Sequence, residues 1–386
     1  DYKVTGVQTC ALPICILYKF KSVWQLPMIA FFMFISTSAI IAQNDGHETS
    51  ETDVPWDVEV AENEFKAGEM IIEHITDSYE WHIMTIGHTH VSIPLPIMLY
   101  DEGKFHFFMS SVFHHHDTYN GYFISHNDMN AGKLVKSGLD GQEIRPTLDF
   151  SFTKNVLAIF ISCFIMIWVF ISVAKSYKRR EGQAPKGLQS FLEPIIIFVR
   201  DDIAKASIGE KNYRKYLPFL LTIFFFIFLN NLMGIVPFFP GGANVTGNIG
   251  VTAVLALFTF AITTFSGNKN YWVHIINTPG VPWWLKIPVP LMPIVEIMGI
   301  FTKPFVLMVR LFANISAGHI IILGFISLIF IFGEIVEGAG YGVAVISVGF
   351  SIFMDILELL VAFIQAYVFT LLSALYFGMA IEEAHH

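Results

Sequence analysis

Residues 303–319 read KPFVLMVRLFANISAGH, and Arg310 stands in the middle of that run. The residues on either side, from Pro290 to Phe332, suit a membrane interior. An arginine at the centre of a bilayer costs roughly 2.5–3.5 kcal/mol on insertion scales, so it faces a partner or a wet path rather than lipid. The rest of the chain is organised around holding that cation in place.

The composition agrees with a membrane setting. Of 386 residues, 54% are hydrophobic, 15% aromatic and only 14% charged, against roughly 25% charged in average soluble domains. Mean hydropathy is +0.57. The fold class expected is an all-α polytopic membrane protein with a small β-rich exported domain at its N-terminal side. Net charge is −9, which argues against nucleic acid as a partner. The three cysteines, Cys10, Cys15 and Cys163, have no metal-type spacing.

The chain begins at Asp1, and VTGVQTCALPI (4–14) resembles translated adapter sequence, so residues 1–15 are expected to be a non-native leader. Residues 16–42 read as a signal peptide: Lys19 and Lys21, an apolar centre at Met28–Ile35, then small residues to Ala42. The alternative is an uncleaved apolar segment. Residues 43–150 form the expected exported domain, with ten of the fourteen histidines. Its start, to about Asp57, has the composition of a disordered segment. From Trp81 onward short strands alternate around a turn at Asp101–Lys104. His114–His116 and His88/His90 invite a metal reading, but a solvated polar face is the simpler account, and no metal or cofactor is expected.

The membrane domain is expected over 151–386, with five spans: 153–174, 217–239, 249–265, 290–332 and 346–381. Lys175, Lys178, Arg179 and Arg180 close the first span, so that end is inside and 43–150 outside. Between 186 and 206, Leu188, Phe191, Leu192, Ile195, Ile196, Val199 and Ile203 recur at helical spacing, which predicts a helix lying on the cytoplasmic surface. Asn230–Asn231 is an unusual polar pair for lipid and suits helix-to-helix bonding. Trp283 and Trp284 suit a membrane interface. The last two spans exceed the ~20 residues of an upright crossing, which predicts two long tilted helices in a C-terminal hairpin. Pro293 and Pro304 would bend the first, and Gly338, Gly340 and Gly342 read as a flexible turn between them. Five crossings from an outside start leave the C-terminus inside.

Glu296, Lys303 and Arg310 are seven apart, which places them on one helix stripe, and Asn314 joins four residues on. His319 is about half a turn round and about 13–14 Å along the axis from Arg310. The last helix carries Asp355, Glu358 and Gln365. With a turn near residue 339, the antiparallel count makes His319–Glu358 and Arg310–Gln365 neighbours. A histidine beside a carboxylate in a wet intramembrane cavity passes protons near neutral pH. Each polar residue also has a plainer reading: Glu296 as an interfacial anchor, Lys303 snorkelling, Asn314 as helix-to-helix glue. No phosphate-binding G-x-x-x-x-G-K-[ST] run occurs, and no nucleophile with a base and its orienter, so the chain is expected to move ions rather than transform molecules.

KPFVLMVRLFANISAGH together with LELLVAFIQAYVFTLLSALY (357–376) resembles subunit a of the F-type ATP synthase, over roughly 150–386. The resemblance rests on R-L-F-x-N with its small-residue pair and on the downstream Q-A-Y-V-F. It implies a membrane stator beside a rotating ring of c subunits, with the subunit b peripheral stalk and the remaining synthase as partners in a bacterial inner membrane. It implies that Arg310 faces the ring carboxylates and blocks short circuit between two offset half-channels. Glu296 would belong to the inner half-channel, and Asn314, His319, Glu358 and Gln365 to the arginine's surroundings and the outer one. Some family members exchange the positions of the acid and the histidine. Domain 43–150 departs from the short N-terminus of many members. The competing class is a secondary or metal-cation transporter that collects its cation on the external histidines, although no inverted internal repeat supports it.

Overall fold

The computed structural model describes residues 67–382 except 87–88, 115–117, 126–129, 131, 139–141, 181–182, 237–238, 277–290 and 336–338. The expected leader, the signal segment, His88, the residues from His115 to His116, and Trp283–Trp284 therefore lie outside the described residues.

The chain enters as a short helix, α1 (Ala67–Ile75), followed by eight short strands: β1 (Glu80–Ile86), β2 (Thr89–Pro94), β3 (Pro96–Asp101), β4 (Lys104–Met109), β5 (Tyr122–Ile124), β6 (Leu134–Ser137), β7 (Glu143–Ile144) and β8 (Leu148–Asp149). They make three small antiparallel sheets, β1-β2, β4-β3-β8 and β5-β6-β7. The expected turn is the β3-β4 hairpin, with Asp101 opposite Lys104. Positive φ at Glu102 (49°) and Gly103 (79°) gives it the twist that suits paired strands. Alternate residues Ile97 and Leu99 of β3 are fully buried and meet Tyr79, Phe108, Tyr122 and Leu134 in one small core.

Beyond residue 150 every described element is helical: α2 (Lys154–Arg179), α3 (Leu188–Phe198), a π-helical segment (Val199–Lys205), α4 (Ala206–Ile208), α5 (Tyr213–Ile235), α6 (Ile249–Ser266), α7 (Lys269–Ile276), α8 (Leu291–Ile335) and α9 (Ala339–Ile381). Five of them, α2, α5, α6, α8 and α9, are long and apolar enough to cross a membrane. The chain is thus mostly helical and polytopic in character, with strands confined to its N-terminal part.

Aromatic packing centres the bundle on α5. Phe224, Phe226 and Leu220 are buried there, and Tyr216 stacks on Phe377 of α9 at 5.1 Å. The two long helices run antiparallel, with Phe325 against Phe350 at 3.9 Å between ring centroids. Nearer their junction Gly340 packs on Gly333, where an added Cβ would come within 3.1 Å of the Gly333 Cα. This corrects the reading of Gly340 and Gly342 as turn: the helix already begins at Ala339. The missing side chain at Gly340 serves close helix approach rather than a bend. Pro293 falls in the first turn of α8, where its absent N–H costs nothing, whereas Pro304 sits inside the helix.

The residues between α2 and α5 hug α9. Gly378 leaves room for the Ser207 carbonyl, which a Cβ there would overlap. In the π-helical segment Arg200 makes a bidentate pair with Asp201 (2.6 and 2.9 Å), and Lys205 reaches the same carboxylate at 2.9 Å.

Candidate functional site: a buried histidine–carboxylate pair and an open arginine

The polar side chains of the two long helices sort into three environments. The first is buried. His319 Nδ1 lies 2.6 Å from Glu358 Oε1, with only 12% and 6% of the two side chains exposed. These expected neighbours do meet, and the reason is local. Gly318 precedes the histidine, and the carboxylate lies across its Cα, where an added Cβ would stand 2.8 Å from Oε1. The other ring nitrogen, Nε2, is turned toward Gly234 at the end of α5. Asp355, one turn before Glu358, is within electrostatic reach of both partners.

Further polar side chains, Asn230, Asn231, Asn244, Thr246 and Ser316, are buried on α5, after it and on α8. Thr246 donates its hydroxyl to Asn231 Oδ1 at 2.5 Å, and the Asn231 amide reaches the Ala362 carbonyl of α9 at 3.4 Å. Ser316 donates to the Gly247 carbonyl at 3.4 Å. Asn230 donates to the Phe226 carbonyl at 2.8 Å. Its Oδ1, and both side-chain polar atoms of Asn244, are buried without a hydrogen-bonding partner among the described residues. Buried amides of this kind are ordinarily satisfied by ordered water.

The second environment is open. Arg310 and Asn314 lie on an exposed face of α8, with Val306, Val309, Ala313 and Ala317, which are exposed as well among the described residues. Gln365 is 5% exposed inside the helix pair, whereas Arg310 is exposed, and the two are not hydrogen-bonded. Residue counting sets two positions at one height but leaves their rotation about the helix axes free, so it does not fix their burial.

The third environment lies toward the start of α8. Lys303 sits 5.5 Å over the Tyr376 ring of α9, a cation–π contact that accounts for its charge. Glu296 is near Tyr271 of α7, whose phenol is raised by desolvation and then by that negative charge. One sequence stripe thus meets three surroundings, because a straight helix drifts by ~20° per seven residues and its neighbours change along its length.

Among the described residues no group of three histidine, cysteine, aspartate or glutamate side chains is placed to hold a metal ion.

A family profile described as ATP synthase A chain matches residues 156–378. The chain belongs to the ATP synthase A chain family. Relatives agree. It is 44% identical over 245 residues to ATP synthase subunit a of Chloroherpeton thalassium, spanning 62% of this chain and 69% of that one. It is 46% identical over 239 residues to ATP synthase subunit a 2 of Chlorobaculum tepidum, 60% of this chain and 64% of that one. It is 36% identical over 356 residues to ATP synthase subunit a of Chlorobium phaeobacteroides, 90% of this chain and 84% of that one. A second profile, of a domain of unknown function, matches residues 70–150.

In this A chain family member, sequence reasoning missed Asn244, Thr246 and Gly318. The signal for the first two was present: a polar run, Asn244 to Asn248, between two apolar spans. Gly318 carried none, since a close approach is visible only once the facing carboxylate is in place.

Proposed function

We propose that this chain is the proton-translocating stator subunit of an F-type ATP synthase. It would lie in a bacterial inner membrane beside a ring of c subunits and bound to the subunit b stalk, with residues 67–150 outside and the C-terminus inside. In this reading two offset half-channels meet the ring near Arg310. His319, Glu358 and Gln365 serve the outer one, Glu296 the inner one, and Asn314 the arginine's surroundings. The cluster Lys175, Lys178, Arg179 and Arg180 at the end of α2 supports the orientation.

The observation that carries the reading is Arg310, exposed on an apolar helix among the described residues. In lipid that charge is expensive; against a ring carboxylate it is compensated. A guanidinium keeps its proton at any relevant pH, so it can pair with each passing carboxylate and displace its proton without becoming a leak. Nine residues on, about 13–14 Å along the axis, the buried His319–Glu358 pair supplies an imidazole beside a carboxylate, a pairing that can relay protons.

The test is ATP-driven acidification of inverted membrane vesicles at matched complex assembly. Arg310→Ala is expected to abolish pumping, and Arg310→Lys nearly so, since a desolvated lysine loses its proton. Pumping retained by Arg310→Ala in a fully assembled complex refutes the proposal.

A further inference from the structure

The strand-bearing domain is clamped onto the membrane bundle at one edge. α1 packs along α8. The turn after it is bonded to the head of α2 on several atoms. Asp77 Oδ2 accepts the Thr153 hydroxyl at 2.7 Å and its Oδ1 the Asn155 N–H at 3.0 Å. The Lys154 N–H donates to the Ser78 carbonyl at 2.8 Å, and the Lys154 ammonium to the His74 carbonyl at 3.2 Å. Trp81, 2% exposed, meets Phe239 beyond α5 edge-on at 5.2 Å. One short segment, His74 to Trp81, thus touches α2, α8 and the segment following α5.

This clamp brings a second histidine toward the buried pair. His74 is exposed, yet it lies within electrostatic reach of Lys154 on α2, His319 on α8 and His82 on β1. Asp77 is committed to the α2 head, and Glu358 is engaged by His319. Desolvation by the surrounding protein, then Lys154, then the two histidines, hold the His74 imidazole below its ordinary value. It is therefore neutral at neutral pH and free to accept a proton.

We propose, building on the proton-path reading above, that His74 is the outermost proton-exchanging residue of the path to His319 and Glu358, and that the external domain forms the outer wall of that path. The neutral imidazole of His74 takes a proton from external hydronium on one nitrogen. It passes a proton inward, directly or through water, to the His319–Glu358 pair and returns to neutral; no other bond changes. The domain of unknown function would then be a working part of the channel rather than an ornament beside it.

The experiment uses the whole assembled complex in proteoliposomes, with proton-driven ATP synthesis measured while only the pH on the external-domain side is varied. His74→Gln keeps size and polarity but cannot titrate. Expected is a loss of about threefold or more, with a flattened dependence on external pH around the histidine range, and recovery on adding imidazole to that side. Lys154→Gln, which removes the nearest cation, is expected to move the midpoint of that dependence to higher pH. An unchanged profile in His74→Gln at full assembly overturns the proposal. So does a reduced amount of complex whose profile per complex is native, since that marks a purely structural histidine. Arg310→Ala separates the two readings: if it still translocates, the proton-path reading falls and takes this one with it. If it is inactive while His74→Gln behaves as native, only the present proposal fails.

Discussion

Gly318→Ala is the sharpest probe of the histidine–carboxylate pair. The new methyl would stand 2.8 Å from Glu358 Oε1 and 3.2 Å from its Cδ, where ordinary contact begins near 3.4 Å. Relief requires the carboxylate to withdraw by about 0.6 Å, because repulsion rises steeply inside contact distance. Withdrawal along the bond to His319 stretches that 2.6 Å contact to about 3.2 Å, the outer limit of a good hydrogen bond. A hydrogen bond to a charged group is worth ~1.5–3 kcal/mol. If proton passage depends on the pair, translocation should fall by about 10- to 100-fold, at 1.4 kcal/mol per decade. The assay is ATP-driven quenching of a pH-sensitive dye in inverted vesicles, normalised to assembled complex. Gly324→Ala on the same helix is the control: nothing lies within 4 Å of its added Cβ, so the change should leave pumping alone. Native pumping by Gly318→Ala at matched assembly would refute the reasoning.

Two other predictions concern stability. Asp77→Ala removes both acceptor oxygens from the head of α2; loss of such a terminal acceptor costs about 1–2 kcal/mol, and limited proteolysis should cut between residues 67 and 150 faster than in the native chain while α2 to α9 remain intact. Asp201 has its carboxyl lowered to about 2 by its hydrogen bonds from Arg200, with Lys205 adding to the effect. Its folded value lies below the unfolded one, so the stabilisation is complete above about pH 4 and lost as pH falls toward 2. Thermal unfolding in detergent should show that acid limb, and Asp201→Asn should flatten it.

Much of the membrane part was legible because long apolar runs have few alternatives. The five spans, and the helix period over Leu188–Ile203, follow from spacing and length. His319 and Glu358 could be paired by counting from a turn, since antiparallel helices of equal rise keep their levels. Rotation about each axis is set by packing, not by count, and so the count could not tell that Gln365 is buried while Arg310 is exposed. Val199–Lys205 kept its apolar stripe while its hydrogen bonding widened to the π form, a change with no compositional mark. In the strand-bearing domain the Asp101–Lys104 turn was readable from its residues. α1 and the contacts of Asp77 and Trp81 were not, because each joins positions about 76 to 158 residues apart. Leu95 separates β2 from β3: its N–H turns to the Ser110 hydroxyl at 2.9 Å.

The clamp from His74 to Trp81 also bears on how this chain changes over time. Its bonds join the strand-bearing domain to separate stretches of the bundle, so a substitution at Asp77, Thr153, Asn155, Trp81 or Phe239 shifts the demands on the others. Among homologues these five positions should vary as a set, and homologues without the external domain should have lost the pattern at Thr153 and Asn155. The two parts of the molecule would then share one evolutionary clock along this edge, while the exposed aromatic strand with Phe105 and Phe107, 61% and 64% open, keeps its own.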